Sequence, residues 1–215
     1  MPRQASPADQ PTPRPAKRTS GPTRERLLAG AREAFAIRGF ASTRVADIVA
    51  LAGTSHGTFY TYFDDKRDAL LALTQTAASA VYGAAVAPLA AGHPESAREA
   101  IRTRMALFFG TYSEWWDVVR TWDHASAIHP EVDELRARIR GSIVEQLCHV
   151  LAHEREHGQV DRGLDLEITA IALTAMVEEF ASRWLALGRT VGTTEIDQLT
   201  ALCAGAVSNQ HRQPG

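Results

Sequence analysis

Apolar residues recur at helical spacing along nearly the whole chain. Leu27, Ala31 and Phe35 fall every four residues, with Leu28 and Ala34 beside them. Thr23, just after Pro22, is placed to cap the start of this helix, and Gly39 to stop it. A shorter unit opens at Thr43, whose hydroxyl suits an N-cap. Asp47 lies in its first turn, where the helix dipole favours an acid, Val45, Ile48 and Val49 point inward, and Gly53 ends it. Thr54 and Ser55 offer another cap, HGTFYTYF follows, and Asp64 and Asp65 restart a long helix that carries Leu70, Leu71 and Leu73 toward Ala91.

Beyond residue 75 the same period continues, and Val, Ile, Thr and aromatic residues never alternate with polar ones over the length of a strand. Helix breaks fall at Gly92 to Pro94, His129 to Pro130, Gly158 to Gly163 and Gly188 to Gly192. Between them the pattern predicts a helix through Ile101, Met105, Phe108 and Tyr112, then a shorter one around Trp115 to Ala127. A long helix with Val132, Leu135, Ile139, Ile143, Leu147 and Val150 on one face follows, and two more run from Asp165 to Leu187 and from Glu195 to Asn209. The expected fold is all-α.

Composition narrows the functions open to such a chain. Its 215 residues are 45% hydrophobic, enough for a buried core, and its formal net charge of −2 excludes a polyanion-coating basic protein. That average hides an asymmetry: residues 1–75 hold 11 Lys and Arg against 7 Asp and Glu, so the front is basic and the remainder acidic. Six of the ten prolines lie within residues 1–22 beside Arg3, Arg14, Lys17 and Arg18, the composition of a flexible cationic arm. Cys148 and Cys203 form no CxxC pair and fit a reducing cytosol, and no segment looks like a signal peptide or a membrane span. A cytoplasmic protein with no membrane association is expected.

A helix-turn-helix reads DNA by laying its second helix in the major groove while the first lies across it, with a short turn between them. Residues 43–63 supply those parts. Val45, Ile48, Val49, Phe59 and Phe63 can lock the pair, and Gly57 removes a side chain where a phosphate or base approaches. Thr43, Tyr60, Tyr62 and Lys66 suit phosphate oxygens, His56 and Thr58 suit base edges, and Ser42, Thr54 and Ser55 complete the candidate DNA-facing set.

The stretch STRVADIVALAGTSHGTFYTYFDDKRDALL resembles the DNA-binding signature of the TetR family, with Thr54 where that family commonly has Val. The resemblance implies phosphate contacts at Thr43, Tyr60 and Lys66, and recognition-helix positions at Ser55, His56, Gly57, Thr58 and Tyr62. Downstream, MALFFGTYSEW, the break at IHPEV and the pair Glu178 and Glu179 in an apolar helix are similar to the subgroup containing the mycobacterial repressor of ethionamide activation. It further implies a homodimer joined through the last two helices, bound to a double-stranded operator and released by a small-molecule effector. The implied organisation is a disordered arm at 1–22, a helix-turn-helix domain at 23–66, a helical ligand-binding and dimerisation domain at 67–209, and a disordered tail at 210–215. The long fourth helix would be the lever joining the two functions.

Aromatic and apolar side chains in that second domain are candidate cavity walls. Ile101, Met105, Phe108 and Tyr112 share one helical face, Ile139, Ile143 and Leu147 another, and Thr174, Val177 and Trp184 a third, with Trp115 and Trp116 nearby. Arg104, Arg136 and Arg140 lie near these faces and would suit an acidic ligand, or simply form a solvated surface. Ala172, Ala175, Met176 and Glu179, then Ile196, Leu199, Leu202, Cys203, Ala206 and Val207, form stripes that a partner's helices would cover. No cofactor is expected. Two alternatives stay open: His149, His153 and His157 stand at i, i+4 and i+8, a spacing that suits Zn²⁺ or Ni²⁺ in a metal-responsive regulator. Gly53-Thr54-Ser55-His56-Gly57 also matches the G-x-S-x-G of hydrolases, although that motif needs a preceding strand where residues 44–52 read as helix.

Overall fold

Gly21, at a φ of 118° that L side chains rarely adopt, hands the chain to Pro22, which opens helix α1 (Pro22–Ser42) at the position where a missing N–H costs nothing. Thr23 therefore lies inside the helix rather than capping it. Gly39, at φ 72°, breaks α1 near its end as its position predicts, and Phe40–Ser42 form one further turn. In this computed structural model, which describes residues 19–86 and 97–208, the chain continues through α2 (Val45–Leu51), α3 (His56–Tyr62) and α4 (Lys66–Val86). After the undescribed stretch come α5 (Ala97–Glu114), α6 (Trp116–Ser126), α7 (Pro130–Glu156), α8 (Leu166–Ala186) and α9 (Thr193–Val207). No strand occurs among the described residues, so the all-α expectation holds. The expected extension of α4 toward Ala91, residues 1–18 of the arm and residues 209–215 lie outside the described residues.

Two crossings fix the front of the molecule. Gly30 of α1 meets α2 so closely that a Cβ there would stand 2.8 Å from the Ile48 carbonyl oxygen and 2.9 Å from the Ala52 nitrogen. The core around Leu27, Phe35, Ile48, Phe59 and Phe63 then runs without interruption into Leu70 and Leu73 of α4, Val118 and Trp122 of α6 and Val132 of α7. Arg32 of α1 reinforces this junction by donating to both Asp117 oxygens at 2.8 and 2.7 Å and to the Glu114 carbonyl, with its guanidinium 4.5 Å over the Trp115 ring. Arg67 at the start of α4 pairs with Glu131 of α7. The expectation of α4 as the lever needs an addition, because α1 packed against α6 is a second link between the front helices and the rest.

The back of the molecule is a separate apolar cluster. Val81, Phe108, Phe109 and Tyr112 pack with Val177, Ala181, Leu199 and Cys203, and a smaller group joins Leu151, Val160, Ala170 and Val207. Part of the stripe expected to meet a partner is thus used inside the chain: Leu199, Cys203 and Val207 of α9 turn inward against α5 and α8. Ile168 at 68%, Ile171 at 50% and Leu202 at 58% stay exposed on α8 and α9, beside exposed Ala172, Ala175 and Ala206. Among the described residues no helix is long and apolar enough to cross a membrane.

Candidate nucleic-acid interface and cavity

Local hydrogen bonds build the α2–α3 unit. The Asp47 carboxylate accepts the Arg44 backbone N–H at 2.8 Å, so Arg44, not Thr43, caps α2. Gly53, at φ 60°, lets the chain reverse, and Thr54 N–H donates back to the Val49 carbonyl at 3.0 Å. The Ser55 hydroxyl accepts the Thr58 N–H at 3.2 Å, which starts α3, and shares a second bond with the Thr58 hydroxyl at 2.9 Å. Ser55 is thereby committed to a helix cap, a role unrelated to the nucleophile of a hydrolase, and the helix before it removes the strand that such a nucleophile requires.

The candidate DNA-facing residues divide by where their side chains point. Ser55, His56, Gly57 and Tyr60 are exposed at the start of α3 and along it, Thr58 is half-buried among them, and Ser42 is exposed at the end of α1. Three expected contacts turn the other way. Thr43 is 1% exposed, and its hydroxyl donates toward the Ala34 and Gly39 carbonyls at 3.1 and 2.7 Å, tying down the bend after Gly39. Tyr62 is buried against Phe63. Lys66 donates from Nζ to the carbonyls of Phe40, Ala41 and Thr43 at 2.8, 2.9 and 2.9 Å and sits 4.8 Å over the Phe40 ring. Burial holds its ammonium below the ordinary lysine range, with Asp65 pulling the other way. Lys66 thus clamps the carbonyl end of α1, an arrangement that leaves no donor for phosphate. The Thr54 hydroxyl is also buried, with no partner among the described residues. Two exposed polar residues of this segment lie outside the candidate set: Arg44 at the start of α2, and Thr61 on α3, whose hydroxyl donates to the Gly57 carbonyl at 3.1 Å.

Elsewhere in the molecule α4, α5, α7, α8 and α9 line an apolar cavity of about 180 Å³. Ile101, Met105, Phe108, Ile143, Leu147, Thr174 and Val177 line it as expected. The Cys203 thiol joins them, pushed up to about 11 by burial and therefore protonated at neutral pH. Tyr112 and Ile139 instead line a second cavity of about 520 Å³, whose mixed walls also carry Asp123, Arg136 and Arg140. The tryptophans expected in the ligand wall go elsewhere. Trp115 stacks under Arg32, Trp116 lies against Tyr112, and Trp184 stacks on Phe180 and donates to the Thr190 carbonyl at 3.0 Å.

Between the cavities stands Glu178. It accepts from the Tyr82 hydroxyl at 2.8 Å on one oxygen and from Arg140 on the other. Burial and Glu178 together push the Tyr82 phenol well above its ordinary value, so it remains a donor. Burial works against the Arg140 charge, yet the Glu178 carboxylate holds it above the ordinary arginine range. Asp123 is raised by burial despite its 3.0 Å bond to Arg136. Of the three histidines, His153 and His157 lie ring against ring at 4.5 Å, and His149 makes no third member of the group. His157 ends α7 with its ring nitrogen on the His153 carbonyl, and no group of three or more potential ligands capable of holding a metal occurs among the described residues.

Comparison with known proteins agrees with this geometry. Residues 27–73 match the bacterial regulatory proteins of the tetR family, and residues 98–202 match the C-terminal domain of the transcriptional regulator EthR. Over 182 residues the chain is 34% identical to the HTH-type transcriptional regulator EthR of Mycobacterium tuberculosis, covering 83% of this chain and 84% of that protein. It is 27% identical to TtgR of Pseudomonas putida over 180 residues, 79% of this chain and 83% of TtgR. A structure of the fatty acid degradation regulator FadR from Bacillus halodurans superposes with a TM-score of 0.76 at 18% identity, covering 92% of this chain and all of that one, which speaks to the fold alone.

Proposed function

This chain belongs to the TetR family of DNA-binding bacterial transcriptional regulators and carries an EthR-type C-terminal domain, and from that premise we propose that it is a cytoplasmic repressor that binds a palindromic operator as a homodimer and is released by a small, mostly apolar effector. The observation that carries the reading is the apolar cavity lined by Ile101, Met105, Phe108, Ile143 and Val177, in a chain whose front carries an exposed α3 face. An effector acts by binding the DNA-incompetent arrangement more tightly than the competent one, because equal affinity for both shifts nothing. Changing the separation of two recognition helices from the roughly 34–36 Å of successive major grooves would release the operator. The exposed Ile168, Ile171 and Leu202 on α8 and α9 support dimerisation by those helices. The family is one of regulators rather than enzymes, and neither the metal nor the hydrolase alternative finds support.

Fluorescence anisotropy with labelled DNA from upstream of the protein's own gene tests the proposal. Binding should be specific and should fall on addition of apolar compounds that fit the cavity. Val177→Trp, which fills the cavity from α8, should give a folded dimer with weak operator affinity and no further response. A Val177→Trp dimer that bound operator normally and still released it with the same compounds would place the effector elsewhere.

A further inference from the structure

Glu178 and Tyr82 belong to both cavities, so the boundary between the apolar and the mixed compartment is a hydrogen-bonded ion pair rather than a packed wall. The two halves of that pair are unequal. Glu178 is 8% exposed and anchored by Tyr82, whereas the Arg140 side chain keeps 48% of its exposure. Arg140 is already half in water, whereas Glu178 lies almost wholly buried at the cavity boundary. An anionic ligand that captured Arg140 would strand a buried carboxylate, and stranding a buried charge costs far more than freeing a half-exposed one. A cationic ligand on Glu178 leaves every buried charge paired.

Beside Glu178 and Arg140, the second compartment is more acidic than basic. Asp123 and Glu179 line it with Arg136, and Asp123 holds Arg136 at 3.0 Å. Of the other charged groups lining the apolar compartment, Arg104 comes from α5 and Glu154 from α7. Glu154 is eleven residues beyond Ile143, about 16 Å further along the helix axis and away from Arg140. The apolar cavity, near the size of a dry ~150 Å³ cavity that takes benzene, suits a short chain or a single ring.

We infer that the effector is a cationic amphiphile whose apolar part enters the cavity between Met105, Phe108, Leu147 and Val177 and whose ammonium-type head replaces Arg140 on the Glu178 carboxylate. The inference rests on the ligand-responsive reading above and gives it a chemical class. Both cations donate N–H bonds to the same oxygen, so the exchange conserves charge and hydrogen bonds while the apolar part gains burial.

Calorimetry on the full chain with octylammonium, octan-1-ol and octanoate holds the apolar part constant and varies the head. Octylammonium should bind at least about tenfold more tightly than the other two, the worth of one charge-assisted hydrogen bond. Glu178→Gln should abolish that preference while leaving octan-1-ol affinity unchanged. Arg140→Met removes the competing cation and strands the Glu178 carboxylate in the free protein, so it should lower Tm and tighten octylammonium binding severalfold. Octanoate binding tightest, equal binding of all three, or weaker octylammonium binding by Arg140→Met would overturn the cationic class and leave the ligand-responsive reading standing. If an operator-binding preparation bound none of the three, both would fall.

Discussion

Replacing Lys66 by Met separates a helix clamp from a phosphate-binding role. Met keeps the aliphatic stem and removes the ammonium, which donates to three carbonyls at 2.8–2.9 Å. The bond to Ala41 is solvent-exposed, so water replaces it, and the Phe40 and Thr43 carbonyls carry the loss. Hydrogen bonds to a charged donor contribute roughly 1.5–3 kcal/mol, a cation at a helix C-terminus about 0.3–1 and one over an aromatic face about 0.5–1. Burial of the ammonium, which holds Lys66 below the ordinary lysine range, subtracts from that sum. The expected net loss is about 2 kcal/mol of unfolding free energy, a fall of roughly 4–8 °C in Tm for a domain of this size. Urea or thermal unfolding followed by circular dichroism measures it. Operator affinity at several salt concentrations supplies the counter-test: removing a clamp leaves the log–log salt slope unchanged, whereas removing a phosphate-neutralising cation from each subunit changes it by about 0.9 per phosphate. Unaltered stability with a shifted slope would refute the clamp.

Three further outcomes follow from the same geometry. Gly30→Ala should destabilise the front core by about 2 kcal/mol or more in urea unfolding, because its Cβ would meet backbone atoms of α2 at 2.8 and 2.9 Å, and backbone cannot step aside as a side chain can. His56→Ala, on the exposed start of α3, should cost roughly 1–3 kcal/mol on the cognate operator and relax one position in each half-site, read by competition with single-base variants. Since burial raises the folded Asp123 carboxyl above its unfolded value of 3.8, its stabilising contribution is complete below that pH and disappears as pH rises through the folded value. Asp123→Asn should therefore leave Tm at pH 7 unchanged or higher and flatten the acid side of the Tm–pH profile, and a marked loss at pH 7 would show that the Arg136 pair outweighs the burial.

Local rules were enough to read the helices and many of their ends, though not the caps expected at Thr23 and Thr43. Pro22, Gly39, Gly158 and Gly188 act on their own φ angles, and Asp165 caps α8 through an N–H only three residues away at 3.0 Å, so nothing distant is needed to place them. The helix-turn-helix was legible for the same reason, since Gly53, Ser55 and the apolar spacing of Ile48, Val49, Phe59 and Phe63 all lie within one short segment. Direction was not. Thr43, Tyr62 and Lys66 are polar residues beside a DNA-reading helix, and their type suits solvent, yet the bend after Gly39 brings bare carbonyls and an aromatic ring within their reach. Likewise Trp115, Trp116 and Trp184 have the same chemistry as Phe108, but whether a ring walls a cavity depends on which helices cross over it. The pairs that define the interior, Arg32 with Asp117 and Arg140 with Glu178, join residues 85 and 38 positions apart. Periodicity carries no record of such pairings, because side-chain partners across helices are chosen by packing angle and by the need to satisfy every buried charge. The chain alone therefore determined where the helices run and which segment forms the helix-turn-helix, and tertiary packing decided which of its polar groups stay exposed and which charges pair at the cavities.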